Sequence, residues 1–340
     1  MRIEHIRQRF RDLGAKTCHE QRLLRAWTHG LALDHGPTPA QDHLPLQLRN
    51  ALPDLTEELD ELARLRSEHV GADASARLLV DLADGQTVES VLLPRDGLCV
   101  STQVGCAVGC VFCMTGRDGL LRQLGSAEIV AQVVLARKRR AVKKVVFMGM
   151  GEPAHNMNNV LEAIDLLGTV GAIGHKSLVF STVGDRRVFE RLPLEKVKPA
   201  LALSLHSTKA ELRAQLLPHA PRIDPAELVD LCEHYARATG YPIQYQWTLI
   251  AGVNDGDDEL AGIARLLAGK YAVMNLIPYN PIDGLDFSRP PWERTAEMSQ
   301  YLHRYGILTK LRQSAGQDID GACGQLRART QEQQTAIPLS

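Results

Sequence analysis

From residue 98 onward the chain alternates short apolar runs with amphipathic stretches, and this alternation limits its fold more than any other feature. The runs are LCVST (98–102), KVVFMG (144–149), SLVFST (177–182), PALALSLH (199–206), IQYQWTLI (243–250) and YAVMNLIPY (271–279). Between them lie AEIVAQVVLARKRR (127–140), NVLEAIDLLGTV (159–170), DPAELVDLCEHYARATG (224–240) and DELAGIARLLAG (258–269), which read as helices. Strands separated by helices imply parallel neighbours joined by right-handed crossovers. Six such strands fall short of a closed eight-stranded barrel. The expectation is an α/β fold, a partial (β/α)6 barrel over residues 99–327.

Upstream, residues 1–72 read as a small helical domain, with LTEELDELARLRSEH (55–69) carrying apolar residues at three-to-four spacing. RLLVDL and TVESVLLP then read as a β-hairpin extension over 73–98, bent at Asp84-Gly85. Residues 328–340 read as a polar tail. At 44% hydrophobic and 23% charged, the chain is neither collagen-like nor mainly disordered. Its 39 basic and 40 acidic residues leave no overall cationic field, so a nucleic-acid partner needs a local patch. The start, MRIEHIRQRFRDLG, lacks the apolar core of a signal peptide, and no apolar run approaches the roughly 20 residues of a membrane span. A cytoplasmic protein without membrane contact is expected. There thiols stay reduced, and clustered cysteines suggest metal or catalysis.

Three of the seven cysteines, Cys106, Cys110 and Cys113, fall within eight residues. A structural zinc site wants four ligands, usually as two close pairs. No second pair exists, because Cys18, Cys232 and Cys323 are isolated. A 4Fe–4S cube held at three irons keeps its fourth open. Cluster, zinc site and packed or redox thiols all remain readings of the triplet alone. The other strand ends carry Gly149-Met150-Gly151-Glu152-Pro153, Ser181-Thr182, Ser204-Leu205-His206 and Tyr279-Asn280-Pro281. Each has an ordinary explanation as turn or cap chemistry. In an α/β barrel, however, all of them meet the cysteine loop on one rim.

With Phe112 beside Cys113 the triplet reads CxxxCxΦC, Φ aromatic, and resembles the signature of the radical S-adenosylmethionine superfamily. Gly-Met-Gly-Glu-Pro, Ser-Leu-His and the segment Gly316–Leu326 (GQDIDGACGQL) resemble the RlmN/Cfr family of radical RNA methyltransferases over roughly residues 75–327. The resemblance implies a radical-SAM barrel whose cluster sits on Cys106, Cys110 and Cys113. It implies an S-adenosylmethionine site at Phe112, Gly151, Glu152, Ser181, Ser204, Leu205, His206 and Asn280, with two cofactor molecules used per turnover. Cys323 would carry a methyl group, Cys99 would resolve the adduct, and Glu89 would lie near the substrate adenine. The implied reaction methylates an adenine carbon, C2 in preference to C8, in structured RNA. The first candidate is 23S ribosomal RNA and the second transfer RNA, with a flavodoxin or ferredoxin as electron donor and a monomeric enzyme.

Such carbons are electron-poor and do not attack a sulfonium methyl, which is why a radical route and a covalent cysteine suit the task. Reaching them also requires the base to leave its stack. Residues 137–144, with six basic side chains in eight, read either as a phosphate-tracking patch or as a solvated helix end, the latter preferred. Two rival readings remain: a radical enzyme acting on a protein or small molecule, and a zinc-stabilised binding module. Cys18 and Cys232 are expected to be structural.

Overall fold

A computed structural model describes residues 1–36, 39–282 and 284–328. The expected polar tail lies, apart from Ala328, outside the described residues. Helices α1 (Ile3–Asp12), α2 (Thr17–Thr28), α3 (Leu46–Asn50) and α4 (Leu52–Glu61) open the chain. Helix α1 buries Ile3, Ile6 and Phe10, an apolar stripe at helical spacing.

Residues 64–70 correct the helical reading of 55–69. They form strand β1 (Arg64–Val70), whose side chains alternate between exposed and half-buried. The three-to-four apolar spacing ends at Leu62, and RLRSEHV has the period of two that suits an edge strand. Strand β1 pairs antiparallel with β2 (Ala76–Asp81), which pairs with β3 (Thr87–Leu93) through the expected bend, Asp81 facing Thr87. Gly85 sits there at φ +82°, a conformation open to glycine at no steric cost. Strand β4 (Gly97–Cys99) then pairs antiparallel with β3. Strands β5 (Gln103–Gly105) and β6 (Leu120–Gln123) form a separate two-stranded sheet with the cysteine loop between them.

The α/β region follows the expected alternation: α5 (Ser126–Arg137), β7 (Lys144–Phe147), α6 (Met157–Thr169), β8 (Leu178–Thr182), α7 (Arg186–Arg191), β9 (Ala200–Ser204) and α8 (Ala210–Leu216). It continues with α9 (Pro225–Thr239), β10 (Ile243–Leu249), α10 (Asp257–Leu267), β11 (Ala272–Pro278), α11 (Trp292–Arg304) and β12 (Leu308–Leu311). Local signals set several limits. Asp224 caps α9 by accepting the Ala226 N–H at 2.8 Å, Pro225 starts it, and left-handed Gly240 ends it.

One ten-stranded sheet results, in the order β1-β2-β3-β4-β7-β8-β9-β10-β11-β12, parallel from β4 onward. The six strands read from the sequence are present, and edge strand β12 adds a seventh parallel member. The sheet is curled. Lys144 on β7 senses the charges of Lys310 and Arg312, on and just after β12, although five strand spacings would separate them by about 24 Å in a flat sheet. The sheet is therefore curved into an open barrel. Outward side chains such as Val145, Phe147, Phe180, Leu203 and Trp247 are fully buried under the helices. The inward set is more polar, with Ser181, Ser204, Gln246 and Thr248 facing a central pocket.

The basic run 137–144 does not form a patch. Arg137 donates to the carbonyls of Thr28 and Gly171, and Arg140 to those of Ala74 and Leu93. Lys138 pairs with Asp60, Arg139 with Glu68 and Lys143 with Asp96. Lys144 alone turns inward. Among the described residues no helix is long and apolar enough to cross a membrane.

Candidate active site

The carboxyl ends of β7 to β11 and the cysteine loop enclose one pocket. Its lining includes Cys106, Cys110, Phe112, Cys113, Gly151, Glu152, Ser181, Ser204, His206 and Cys323, ten of the fourteen residues singled out in the sequence. The loop is held from outside: the Cys106 N–H donates to Gly119 O at 2.9 Å, and the Val111 N–H to Leu216 O at 3.1 Å. All three thiols are free. Burial pushes the Cys106 thiol up to about 12 and raises Cys110 and Cys113 as well. Neutral thiols become ligands only when a metal replaces their protons.

The donor set fits an iron–sulfur cube. Three thiols from one loop share a pocket, and a cube asks each to bind a different iron rather than one ion. In keeping with that, no three His, Cys, Asp or Glu side chains among the described residues converge on a single ion-sized point.

Gly151 sits at φ +106°, where an added Cβ would fall 2.6 Å from Gln103 side-chain carbons, so only glycine lets the chain turn there. The turn aims Glu152 inward. Its carboxylate accepts the N–H groups of Ala154 at 3.1 Å and Val183 at 3.0 Å. Burial nevertheless lifts its pKa to about 7, so an approaching ammonium group would favour its ionised form.

His206 is held in the left-handed region at φ +58°, an uncommon and strained conformation for a non-glycine residue. Its Nδ1 accepts the Thr248 N–H at 3.0 Å, which places the ring proton on Nε2. Burial, and secondly Arg213, push its pKa down to about 3, so the ring is neutral. It packs edge-on against Phe112 with ring centroids 4.9 Å apart. Asn254 supports this turn by donating to His206 O and Thr248 O, each at 2.8 Å. Buried Arg213 bonds the carbonyls of Val183 and Ser204, fixing the ends of β8 and β9.

Four predicted residues stand outside the lining. Leu205 is fully buried in the hydrophobic core, between the lining residues Ser204 and His206. Asn280 donates to the Cys323 carbonyl and to Ser314 Oγ, each at 3.0 Å, and so holds the cysteine-bearing segment. Cys99 ends β4 and is buried; its thiol is pushed up mainly by burial, with the Cys323 sulfur contributing. Glu89 has 0% exposure, pairs with Arg77 at 2.9 Å and accepts the Arg327 N–H at 2.8 Å. The sequence reading missed Gln246, Thr248 and Thr115 in the lining. In IQYQWTL the polar residues alternate with Ile243, Tyr245, Trp247 and Leu249, a period-two signal that marks the inward face.

Such a barrel rim with a three-cysteine loop defines a radical S-adenosylmethionine protein, and residues 100–267 match the Radical SAM superfamily. The chain is 76% identical over 329 residues to a probable RNA methyltransferase of Aromatoleum aromaticum, covering 97% of this chain and 93% of that one. It is 69% identical over 331 residues to a probable RNA methyltransferase of Pseudomonas aeruginosa, covering 97% and 96%. The crystal structure of a radical SAM methyltransferase from Sphaerobacter thermophilus superposes with a TM-score of 0.86 at 35% identity, covering 97% and 98%. The chain belongs to the radical SAM superfamily and, within it, to the methyltransferase family of these relatives, as its RlmN/Cfr-like motifs imply.

Proposed function

We propose that this protein methylates an adenine carbon, C2 in preference to C8, in structured RNA, with 23S ribosomal RNA as the first candidate and transfer RNA as the second. The observation that carries the reading is that Cys323, from the far end of the chain, lines the same pocket as the three-thiol loop and Glu152. Cys106, Cys110 and Cys113 are the residues to hold a 4Fe–4S cluster. Glu152, Ser181, Ser204 and His206 face the space for S-adenosylmethionine, with Gly151, Leu205 and Asn280 shaping it. When bound, the cluster and S-adenosylmethionine supply reductive cleavage to a carbon radical, at two cofactor molecules per turnover, with a flavodoxin or ferredoxin as electron source.

The protein's own part is sulfur chemistry. Cys323 carries the methyl carbon and becomes joined through it to the base. Cys99, as thiolate, then attacks the Cys323 sulfur. An S–S bond forms, the S–C bond breaks with its electron pair on carbon, and that carbon takes up a proton to leave a methyl group. A thiol reductant then restores both cysteines. Supporting this role, the segment of Cys323 is anchored by Asn280 and by the Met114 N–H, which donates to Gly324 O at 2.7 Å. A cytoplasmic monomer fits the reduced thiols this chemistry needs.

The test is paired. RNA from cells with and without the gene is mapped for methylated adenines, and the Cys323 peptide of cluster-loaded protein is weighed. Loss of one modified adenine and a 14 Da gain on Cys323, about one methyl for hydrogen, are expected. An RNA map that does not change with the gene refutes the RNA substrate, and a Cys323 that never gains mass refutes the carrier.

A further inference from the structure

Lys144, Lys310 and Arg312 are exposed cations on the inward-facing side of β7 and on or just after β12. Along β7, Lys144 shares its face with Val146 and Met148, and Met148 lines the pocket. On the opposite edge Lys310 stands beside Asn275 in the parallel register of β11 and β12, and the Arg312 N–H donates to Leu276 O at 2.8 Å. Asn275 in turn pairs with Gln246, which lines the pocket. All three cations therefore point to the inside of the curled sheet. Their charges act on one another across its gap, and Arg312 also acts on Cys99.

None of the three makes a side-chain hydrogen bond or ion pair with any described residue. The contrast with their surroundings is sharp, since five neighbours of Lys144 in the run 137–144 are each bonded to a carboxylate or carbonyl. Three like charges brought together without a carboxylate repel one another and raise the energy of the free protein. A second observation points the same way. Asn275 is 3% exposed, and its Nδ2 has no partner. A buried donor left unpaired costs roughly 1–3 kcal/mol, so such groups call for an explanation. Three cations and a spare donor facing the gap of the sheet match a phosphate oxyanion, which accepts several charge-assisted bonds at once.

We propose that Lys144, Lys310 and Arg312 form a phosphodiester site inside the open barrel, which grips the RNA backbone beside the adenine presented to Cys99 and Cys323. The inference rests on the RNA-methyltransferase reading and deepens it. A base flipped out of its stack drags its flanking phosphates towards the enzyme, and their charge needs compensation close to the reacting sulfurs. In a chain with a net charge of -1, that compensation has to be local. The basic run 137–144 does not supply it, because its cations other than Lys144 are already engaged.

The probe is an unmodified 23S ribosomal RNA transcript, titrated with cluster-loaded protein over a range of potassium chloride concentrations. Each phosphate contact contributes about 0.7 to the slope of log Kd against log salt for single-stranded RNA. Replacing all three cations, Lys144→Gln with Lys310→Gln and Arg312→Gln, is expected to lower that slope by about 0.7, the share of one phosphate, and Lys310→Gln with Arg312→Gln by part of it. Arg304→Gln, on the far end of α11, serves as a surface-charge control and leaves the slope unaltered. A wild-type slope retained in both barrel variants overturns the phosphate site while leaving RNA binding intact. Wild-type protein that shows no salt-dependent binding to this transcript or to a transfer RNA transcript overturns both this site and the RNA reading. The exposed positions of Lys144, Lys310 and Arg312 keep the variants foldable.

Discussion

Arg77 Nη1 lies 2.9 Å from Glu89 Oε1, in an ion pair whose side chains are 5% and 0% exposed. The second Glu89 oxygen accepts the N–H of Arg327, from the segment that carries Cys323. Two strands and the chain's far end thus meet on one carboxylate. Its two partners are not equivalent. Burial raises the Glu89 pKa despite Arg77, so Glu89 can shed its charge by taking a proton. A guanidinium cannot lose its charge in a protein. Glu89→Gln is therefore expected to destabilise by roughly 3 kcal/mol, and Arg77→Met by less. Urea unfolding of both variants checks the order, and a larger loss in Arg77→Met contradicts it.

The proposed resolving role of Cys99, whose thiol is affected by the Cys323 sulfur, makes a trapped species the expected outcome of its removal. Without the attacking sulfur, the proposed adduct would stay joined to Cys323. Cys99→Ala is expected to accumulate a covalent protein–RNA adduct, seen as a slow band on a denaturing gel. Cys99→Ala combined with Cys323→Ala is expected to show none. An adduct that persists in the double variant assigns the carrier role to another residue.

His206 is expected to behave as a fixed neutral donor. With Nδ1 occupied by the Thr248 N–H and the pKa pushed down to about 3, its ring nitrogens should not change state between about pH 5 and about pH 8. Nitrogen NMR of the labelled protein reads this directly. A midpoint near the ordinary histidine range would mean that the ring is solvated and the turn at residue 206 open.

What could be read in the sequence was what is local. Asp224, Pro225 and Gly240 announce α9 within their own neighbourhood, and the strand ends carry their site residues in contiguous motifs such as Ser204-Leu205-His206. Strand β1 reads as helix in the sequence, because its weak period-two signal directly follows the helical spacing of α4 and its edge position depends on pairing with β2. Short β12 was missed for a similar reason: LTKL exposes Leu308 and Lys310 and carries no strong pattern. The fate of the basic run was hidden by distance. Asp60, which holds Lys138, lies 78 residues away, and Glu68, which holds Arg139, lies 71 away. The closure of Glu89 by Arg327 spans 238 residues. Neutralisation is a tertiary event, so a dense cluster of charge in sequence overstated the charge available to a ligand.

Glu152 provides a pH test of the cofactor-free protein. Burial raises its pKa to about 7, above the usual carboxylate range, so the folded state binds its proton more tightly than the unfolded chain does. The associated stability is complete below the unfolded-state pKa and is lost as pH rises to about 7. The whole swing is roughly 3 kcal/mol. Glu152→Gln has no proton to lose and should escape this part of the decline. Denaturant unfolding of both proteins at about pH 5 and about pH 8 isolates the effect, since other titrating groups are common to the pair. The wild type is expected to weaken relative to the variant on going to the higher pH. Parallel pH profiles would show that Glu152 is already compensated in the free protein, and its readiness for a cationic ligand would lose its physical basis.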